Sequence, residues 1–433
     1  MQIIWKMKQP IISFLLLISL SQAFAERARD LHVPFDGTPG TYNAITDVKG
    51  VEVGYKTLIS GAGPLLVGKG PIRTGVTAIL PRGKHYDPVF AAWYSLNGAG
   101  ELTGTTWVDQ SGFLQTPIMI TNTNSVGVVR DAVIEWQYKN KLYESAYKNV
   151  FFVLPVVGET FDGLLNDIYG FHITKQDAFD ALNQAKNGAI DEGNVGGGTG
   201  MTCYNLKCGT GTASRILAKE YGGFTVGALV QANYGNLPEL TIAGVPVGKK
   251  LMSMAPNLRP KLYFELMNPD TEKKKPSDVT NDMKSKRSSI IVVVATDAPL
   301  LPVQLKRMAR RIPMGIARVG GYAQDTSGDI FIVFSTANAK LALEHAGQLS
   351  ELKKNEFTQA KDLSMIANSQ MDALFEATVQ VTEEAIVNAM IAAKTMMGVD
   401  DNTFYALPHD TLQTILKEYN RINLPQKQVS LHE

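Results

Sequence analysis

The sequence predicts a layered α plus β fold, with helices packed over sheets. Three features carry that expectation. Residues 44–129 alternate short apolar runs with glycine-rich turns, the pattern of successive strands. Two later runs, SSIIVVVATDAPL and DIFIVFST, are apolar at nearly every position and read as buried central strands. Apolar residues recur at helical spacing over Pro302 to Ile312 and over Asp372 to Met397. A chain of 433 residues with 45% hydrophobic and 19% charged side chains has the length and composition to bury one large core or two smaller ones. Its net charge of +1 and pI near 7.7 leave no basic footprint for nucleic acid and no acidic surface for cationic partners. A small neutral or zwitterionic ligand fits that balance better.

In chain order, the first residues specify a compartment. Lys6 and Lys8 form a basic region, Ile11 to Leu20 an apolar one, and Ala23-Phe24-Ala25 a small-residue cleavage site. Residues 1–25 are expected to be a removable signal peptide, with the mature chain starting near Glu26 and exported, most simply to a periplasm. A membrane anchor would need an apolar run of roughly 18 to 20 residues, longer than any here, so no membrane partner is expected. Export leaves Cys203 and Cys208, five positions apart, free either to close a small disulfide loop or to remain two buried thiols. Six scattered histidines show no HExxH and no paired ligand spacing, so neither a metal nor another cofactor is expected.

After the strands of 44–129, Asp131 to Tyr147 reads as a helix, FFVLPVVGE as a strand and KQDAFDALNQAKNG as a second helix. The segment GNVGGGTG, from Gly193, suggests a phosphate-cradling loop, but it lacks a GK[ST] ending and a dinucleotide fingerprint. Close backbone approach explains such glycine density more simply. The strand FTVGALVQANYGN follows. Residues 271–287, TEKKKPSDVTNDMKSKR, have the charge of a solvated, mobile linker. The chain then passes within about two residues into the core strand SSIIVVVATDAPL. The last long helix is expected over Asp372 to Met397, with Gly398 as its C-cap.

A serine hydroxyl needs a base to act as a nucleophile at neutral pH. Ser289 stands at the mouth of one core strand, and Ser327 and Asp329 stand at the mouth of another. If those strands are neighbours, the three side chains meet at one end of a sheet. A serine exposed as a new N-terminus also has its own α-amine beside the hydroxyl, and such an amine titrates near pH ~7.7–8.0, suited to general-base work. An N-to-O acyl shift followed by hydrolysis would expose it. Taken alone, a strand-start serine and an ordinary Ser-Gly-Asp turn explain the pattern as well.

Six blocks in order, from ELTGTTWVDQSGFLQTPIMITNTNSVGVV through LPVVGETFDGLLND, GNVGGGTGMTCYNLKCGTGTASR, GALVQANYGNL and SIIVVVATDAPLLPVQLKRMARRIPMGIARVGG to SGDIFIVFSTAN, resemble the β-aminopeptidase family. That family includes L-aminopeptidase/D-esterases of DmpA type and β-peptidyl aminopeptidases of BapA type. The resemblance spans about residues 30 to 400. It implies a four-layer αββα sandwich like that of N-terminal nucleophile hydrolases, with different strand connectivity. It also implies a precursor that cuts itself between Ser288 and Ser289 into chains 26–288 and 289–433, which together form one catalytic domain. Processed heterodimers would then assemble as homo-oligomers, tetramers of αβ units.

The resemblance further implies Ser289 as nucleophile, assisted by Ser327 and Asp329, with Asn233 as the oxyanion donor and Asn236 close enough to be an alternative. It makes Glu159 the anchor for a substrate's free ammonium, with Phe161 lining the same pocket, on small peptides, amides and esters that have a free amino end. Glu159 also suits an ordinary acid near a helix N-terminus. Two positions depart from the family pattern: Ser288 where relatives have Gly or Asn, and Asn124 where His is frequent. Ser288 offers a second hydroxyl for a cut one bond earlier. Two other functions fit parts of the pattern: a self-cleaving acyltransferase like the ornithine acetyltransferases, and an exported binding protein with no role for Ser289.

Overall fold

The computed structural model describes residues 26–143, 152–258, 288–341 and 361–422. The predicted signal peptide and the predicted linker at 271–287 lie outside these residues. Strands in chain order are β1 (Glu52–Ser60), β2 (Ile72–Lys84), β3 (Val89–Gly98), β4 (Phe113–Leu114), β5 (Ile118–Asn122), β6 (Val156–Thr160), β7 (Thr202–Cys203) and β8 (Leu206–Lys207). They continue as β9 (Thr210–Ile216), β10 (Thr225–Asn233), β11 (Ser288–Thr296), β12 (Ser327–Ser335), β13 (Met396–Met397) and β14 (Thr403–Phe404). The helices are α1 (Thr105–Ser111), α2 (Val126–Lys139), α3 (Lys175–Gln184), α4 (Val247–Met254), α5 (Pro302–Ala309), α6 (Ile312–Arg318), α7 (Asp372–Ile391) and α8 (His409–Glu418).

Two mixed sheets lie face to face. The smaller runs β1-β2-β5-β6 and the larger β4-β3-β12-β11-β10-β9. Period-two alternation along β11 shows how the layers form. Ile291, Val293 and Ala295 enter the core between the sheets, with Ile79, Ile118, Ile120 and Val156 from the smaller one. Ile290, Val292 and Val294 point the other way, into a second core against Leu305 and Met308 of α5 and Val381, Ala385 and Ala389 of α7. On the outer face of the smaller sheet, Val76, Ala78 and Val157 pack on Val129, Val133 and Trp136 of α2 and on Ala178 and Leu182 of α3. The order is helix, sheet, sheet, helix, the αββα sandwich that the resemblance implies. Both faces of β11 and β12 are covered, which explains their uninterrupted apolar sequence.

Several boundaries differ from the sequence expectation. The helix expected from Asp131 begins at Val126, because Val126 and Val129 are buried and draw the preceding turn into it. It ends at Lys139, and Lys141 has left-handed backbone. Of the described residues of FFVLPVVGE, 152–159, only those after Pro155 lie in a strand, and Phe152 is exposed; Phe151 lies outside the described residues. The helix from Pro302 stops at Ala309, where Pro313 cannot continue the hydrogen-bond ladder and instead opens α6. The long helix ends at Ile391 with Ala392 as its C-cap, and Gly398, at φ −129° and ψ −139°, instead precedes the short 3-10 turn Val399–Asp401. The central glycines of GNVGGGTG, Gly196–Gly198, form a buried 3-10 turn, where a Cβ on Gly197 would stand 2.1 Å from the Gln231 side chain. Close backbone approach accounts for these glycines.

Cys203 and Cys208 are joined in a disulfide. It closes the β7–β8 hairpin, whose turn residues Tyr204 and Asn205 both have positive φ, the geometry of a type I′ turn.

Candidate active site

β11 and β12 are parallel neighbours, paired Ser288 with Ser327, Ser289 with Gly328 and Ile290 with Asp329. On its other side β11 runs antiparallel to β10, with Ser289 opposite Asn233. Directly paired residues project to the same face, so Ser289 and Asn233 both face the smaller sheet, as Ile291 and Leu229 do. Ser327 and Asp329 share the opposite face with Phe331. All of these residues are nearly inaccessible to solvent.

Ser289 Oγ donates to the Ser288 carbonyl oxygen at 2.7 Å and accepts from the Gly328 N–H at 3.3 Å. The hydroxyl thus lies against the peptide bond that the sequence singles out. Ser327 Oγ donates to Asp329 Oδ1 at 2.6 Å, and Asp329 Oδ2 is buried without a hydrogen-bond partner. Burial pushes the Asp329 carboxyl up to about 6, only partly offset by the Ser327 bond. The three side chains therefore gather at one sheet end, but Ser289 bonds to neither Ser327 nor Asp329. The pair lies instead beside Ser288, the residue a cut would release.

The Asn233 amide is held at both ends. Thr202 N–H donates to its Oδ1 at 2.9 Å, and its Nδ2 donates to the Phe161 carbonyl at 2.9 Å. An amide nitrogen has two hydrogens, so this orientation leaves a second N–H on the Ser289 face of the sheet. Asn236 is engaged differently. Its N–H and Nδ2 both bond to Glu239, in the cap of a short 3-10 turn.

Glu159 sits near the end of β6, almost wholly buried. Its Oε1 accepts from the Glu101 N–H at 3.0 Å and its Oε2 from the Thr123 hydroxyl. Burial holds the carboxyl above its usual range, with those two bonds pulling it back down. Gly100 lies between this carboxylate and the Gly328 that touches Ser289. A Cβ on Gly100 would lie 3.3 Å from Glu159 Oε1 and 3.0 Å from Gly328 Cα, and the Gly328 N–H is the one that bonds Ser289. Phe161 contributes its carbonyl to Asn233, while its ring packs over Gly163. Asn124 Nδ2 reaches the Ile168 carbonyl at 3.3 Å.

The model for peptidase family S58 matches residues 43–404. The chain belongs to peptidase family S58. Among S58 relatives, a beta-peptidyl aminopeptidase, BapA, of Sphingosinicella microcystinivorans is 47% identical over 414 residues, 95% of this chain and 97% of that one. The solved beta-aminopeptidase of a Burkholderia species is 42% identical with a TM-score of 0.77, over 91% of this chain and 99% of the other. The L-aminopeptidase D-Ala-esterase/amidase of Ochrobactrum anthropi, a prototype serine aminopeptidase and a variant of the Ntn hydrolase fold, is 41% identical. Its TM-score is 0.76 over 92% of this chain and 99% of that structure. This S58 chain has the same fold and is a serine aminopeptidase.

Sequence reasoning missed the residues that hold the named ones. Thr123 and the Glu101 N–H support Glu159, and Thr202 supports Asn233. Thr123 stands next to the singled-out Asn124, and Glu101 opens the first matching block, but only folding brings them to their partners.

Proposed function

We propose that the chain cuts itself between Ser288 and Ser289 and then, through Ser289, removes β-amino acid residues from the amino end of small peptides, amides and esters. The observation that carries this reading is the 2.7 Å contact of Ser289 Oγ with the Ser288 carbonyl, with the Asn233 amide on the neighbouring strand. In the cut, Oγ adds to the Ser288 carbonyl carbon, the C–N bond breaks, and the acyl group passes to oxygen. Water then hydrolyses the ester, leaving a carboxylate on Ser288 and an amine on Ser289. That amine takes the Oγ proton as Oγ attacks a substrate carbonyl, and returns it to the leaving amine. A second water releases the acyl group.

Each neighbour has a task in this scheme. The free N–H of Asn233 meets the developing oxyanion, the kind of donor whose loss costs about 100 to 1,000-fold in rate. Departure of Ser288 opens space beside Ser327 and Asp329, and the unpartnered Asp329 Oδ2 accepts from the new ammonium. Glu159 takes the substrate's ammonium, a charge that blocked peptides cannot supply. The name of two relatives, beta-peptidyl aminopeptidase BapA, supports the β-peptide preference. The basic, apolar and A-x-A segments of residues 1–25 support export, and the family resemblance supports assembly of processed heterodimers into homo-oligomers.

The test is a denaturing gel with an activity assay. Wild-type protein should give two fragments, residues 26–288 and 289–433, and hydrolyse a β-aminoacyl amide. Ser289→Ala should remain one inactive chain. An intact wild-type chain with full activity would sink the proposal, and a band pattern shifted by one residue would transfer the role to Ser288.

A further inference from the structure

Lys207 is wholly buried, and no carboxylate pairs with it among the described residues. Its Nζ donates to two backbone carbonyls, Met201 at 2.7 Å and Cys208 at 2.5 Å, and burial pushes its pKa down to about 7. Burying an ammonium without a counter-charge is expensive. Holding the hairpin does not require it, because the Cys203–Cys208 disulfide and the I′ turn already close that loop. In the sequence, Lys207 is the one charged residue between Gly193 and Ser214.

The Met201 carbonyl and the Thr202 N–H are two ends of one peptide group. Lys207 binds the first, and the second donates to Asn233 Oδ1. A row of dipoles therefore runs from the ammonium through the peptide into the side-chain amide, ending at the Asn233 Nδ2 hydrogens. Hydrogen bonds in series polarise one another, most strongly where water is excluded. A cation at the far end draws electrons from Nδ2 and makes its N–H a stronger donor. The same chain prevents the amide from turning over and presenting its oxygen to a developing negative charge.

We propose that Lys207 is a positioning residue for the oxyanion donor: through the Met201–Thr202 peptide its ammonium orients and polarises the Asn233 amide. This rests on the assignment of Asn233 above. The experiment is a double-mutant cycle on processed enzyme, with kcat and KM for a β-aminoacyl amide and the rate of self-cleavage as readouts. Lys207→Gln should lower kcat and the self-cleavage rate about tenfold with KM little changed, and should add nothing further in an Asn233→Ala background. A backbone ester at position 202, which removes only the Thr202 N–H, should give the same loss and keeps the test open where Lys207→Gln does not fold. Unchanged kcat in the ester and Lys207→Gln enzymes, or equal losses with and without Asn233, would overturn the proposal. Wild-type kcat in Asn233→Ala would instead show that the oxyanion assignment itself had failed, taking this inference with it.

Discussion

Asp329 keeps one carboxylate oxygen on Ser327 and the other unpaired in the interior, and this leaves a signature in stability. A carboxyl whose pKa rises from 3.8 to about 6 on folding binds its proton more tightly in the native state than in the unfolded chain. Its contribution is therefore most favourable below pH ~4, declines as pH rises toward 6, and is level above that, for a total of about 3 kcal/mol. In the uncut Ser289→Ala protein, adding Asp329→Asn should remove this decline. The melting-temperature advantage of the double variant should grow between pH 4 and 6.5 by thermal unfolding, and parallel curves would refute it. Glu159→Gln should raise KM for a free-amine substrate about 10 to 100-fold while leaving an N-acetylated analogue as poor as before. A steady-state comparison of the two substrates decides this. Ser289, Asn233, Glu159, Ser327 and Asp329 were legible because each lies in a sequence block with its own pattern. Their supports were not: the Thr123 bond to Glu159 spans 36 positions, and no periodicity encodes such a pair.

The elements that place these residues are β10, β11 and β12, with β6 for Glu159, and the register of the first three fixes the site more closely than any loop does. Gly328 is the pivot. A Cβ there would come within 2.8 Å of both the Ala99 carbonyl and Gly100 Cα. Gly328→Ala should push the 99–101 segment outward and loosen the Glu101 N–H bond to Glu159, at a stability cost of about 1 to 3 kcal/mol. KM should rise more than kcat falls, measured on whatever fraction self-cleaves. β11 and β12 could be read from sequence because both faces are buried, whereas β6 could not be bounded, since the FFVL before Pro155 is at least as apolar as the strand that follows it. Helix ends were misplaced where packing or proline, not local propensity, set them, as at Val126 and Pro313.

Over the whole molecule, the larger sheet interleaves the two segments that a cut at Ser289 would separate. β3, β4, β9 and β10 come from before the cut, and β11 and β12 from after it, with β12 pairing to β3 and β11 to β10. The fragments should therefore co-elute on size exclusion under native conditions and part only in denaturant. Separation in buffer would contradict the shared sheet. A layered architecture was legible from the alternation of strands and helices, but this strand order was not. It joins segments more than two hundred residues apart, and apolar patterning marks a strand as central without naming its neighbours.

β11 opens on Ser288 and Ser289, so a chain cut between them as proposed would begin with the proposed reacting hydroxyl. The gene for the second chain, expressed separately beside the first, would place an initiator methionine where Ser288 now stands, against Ser327 and Asp329. Two-gene production of this enzyme would then depend on methionine excision by the host, and an affinity tag belongs at the other end of that chain.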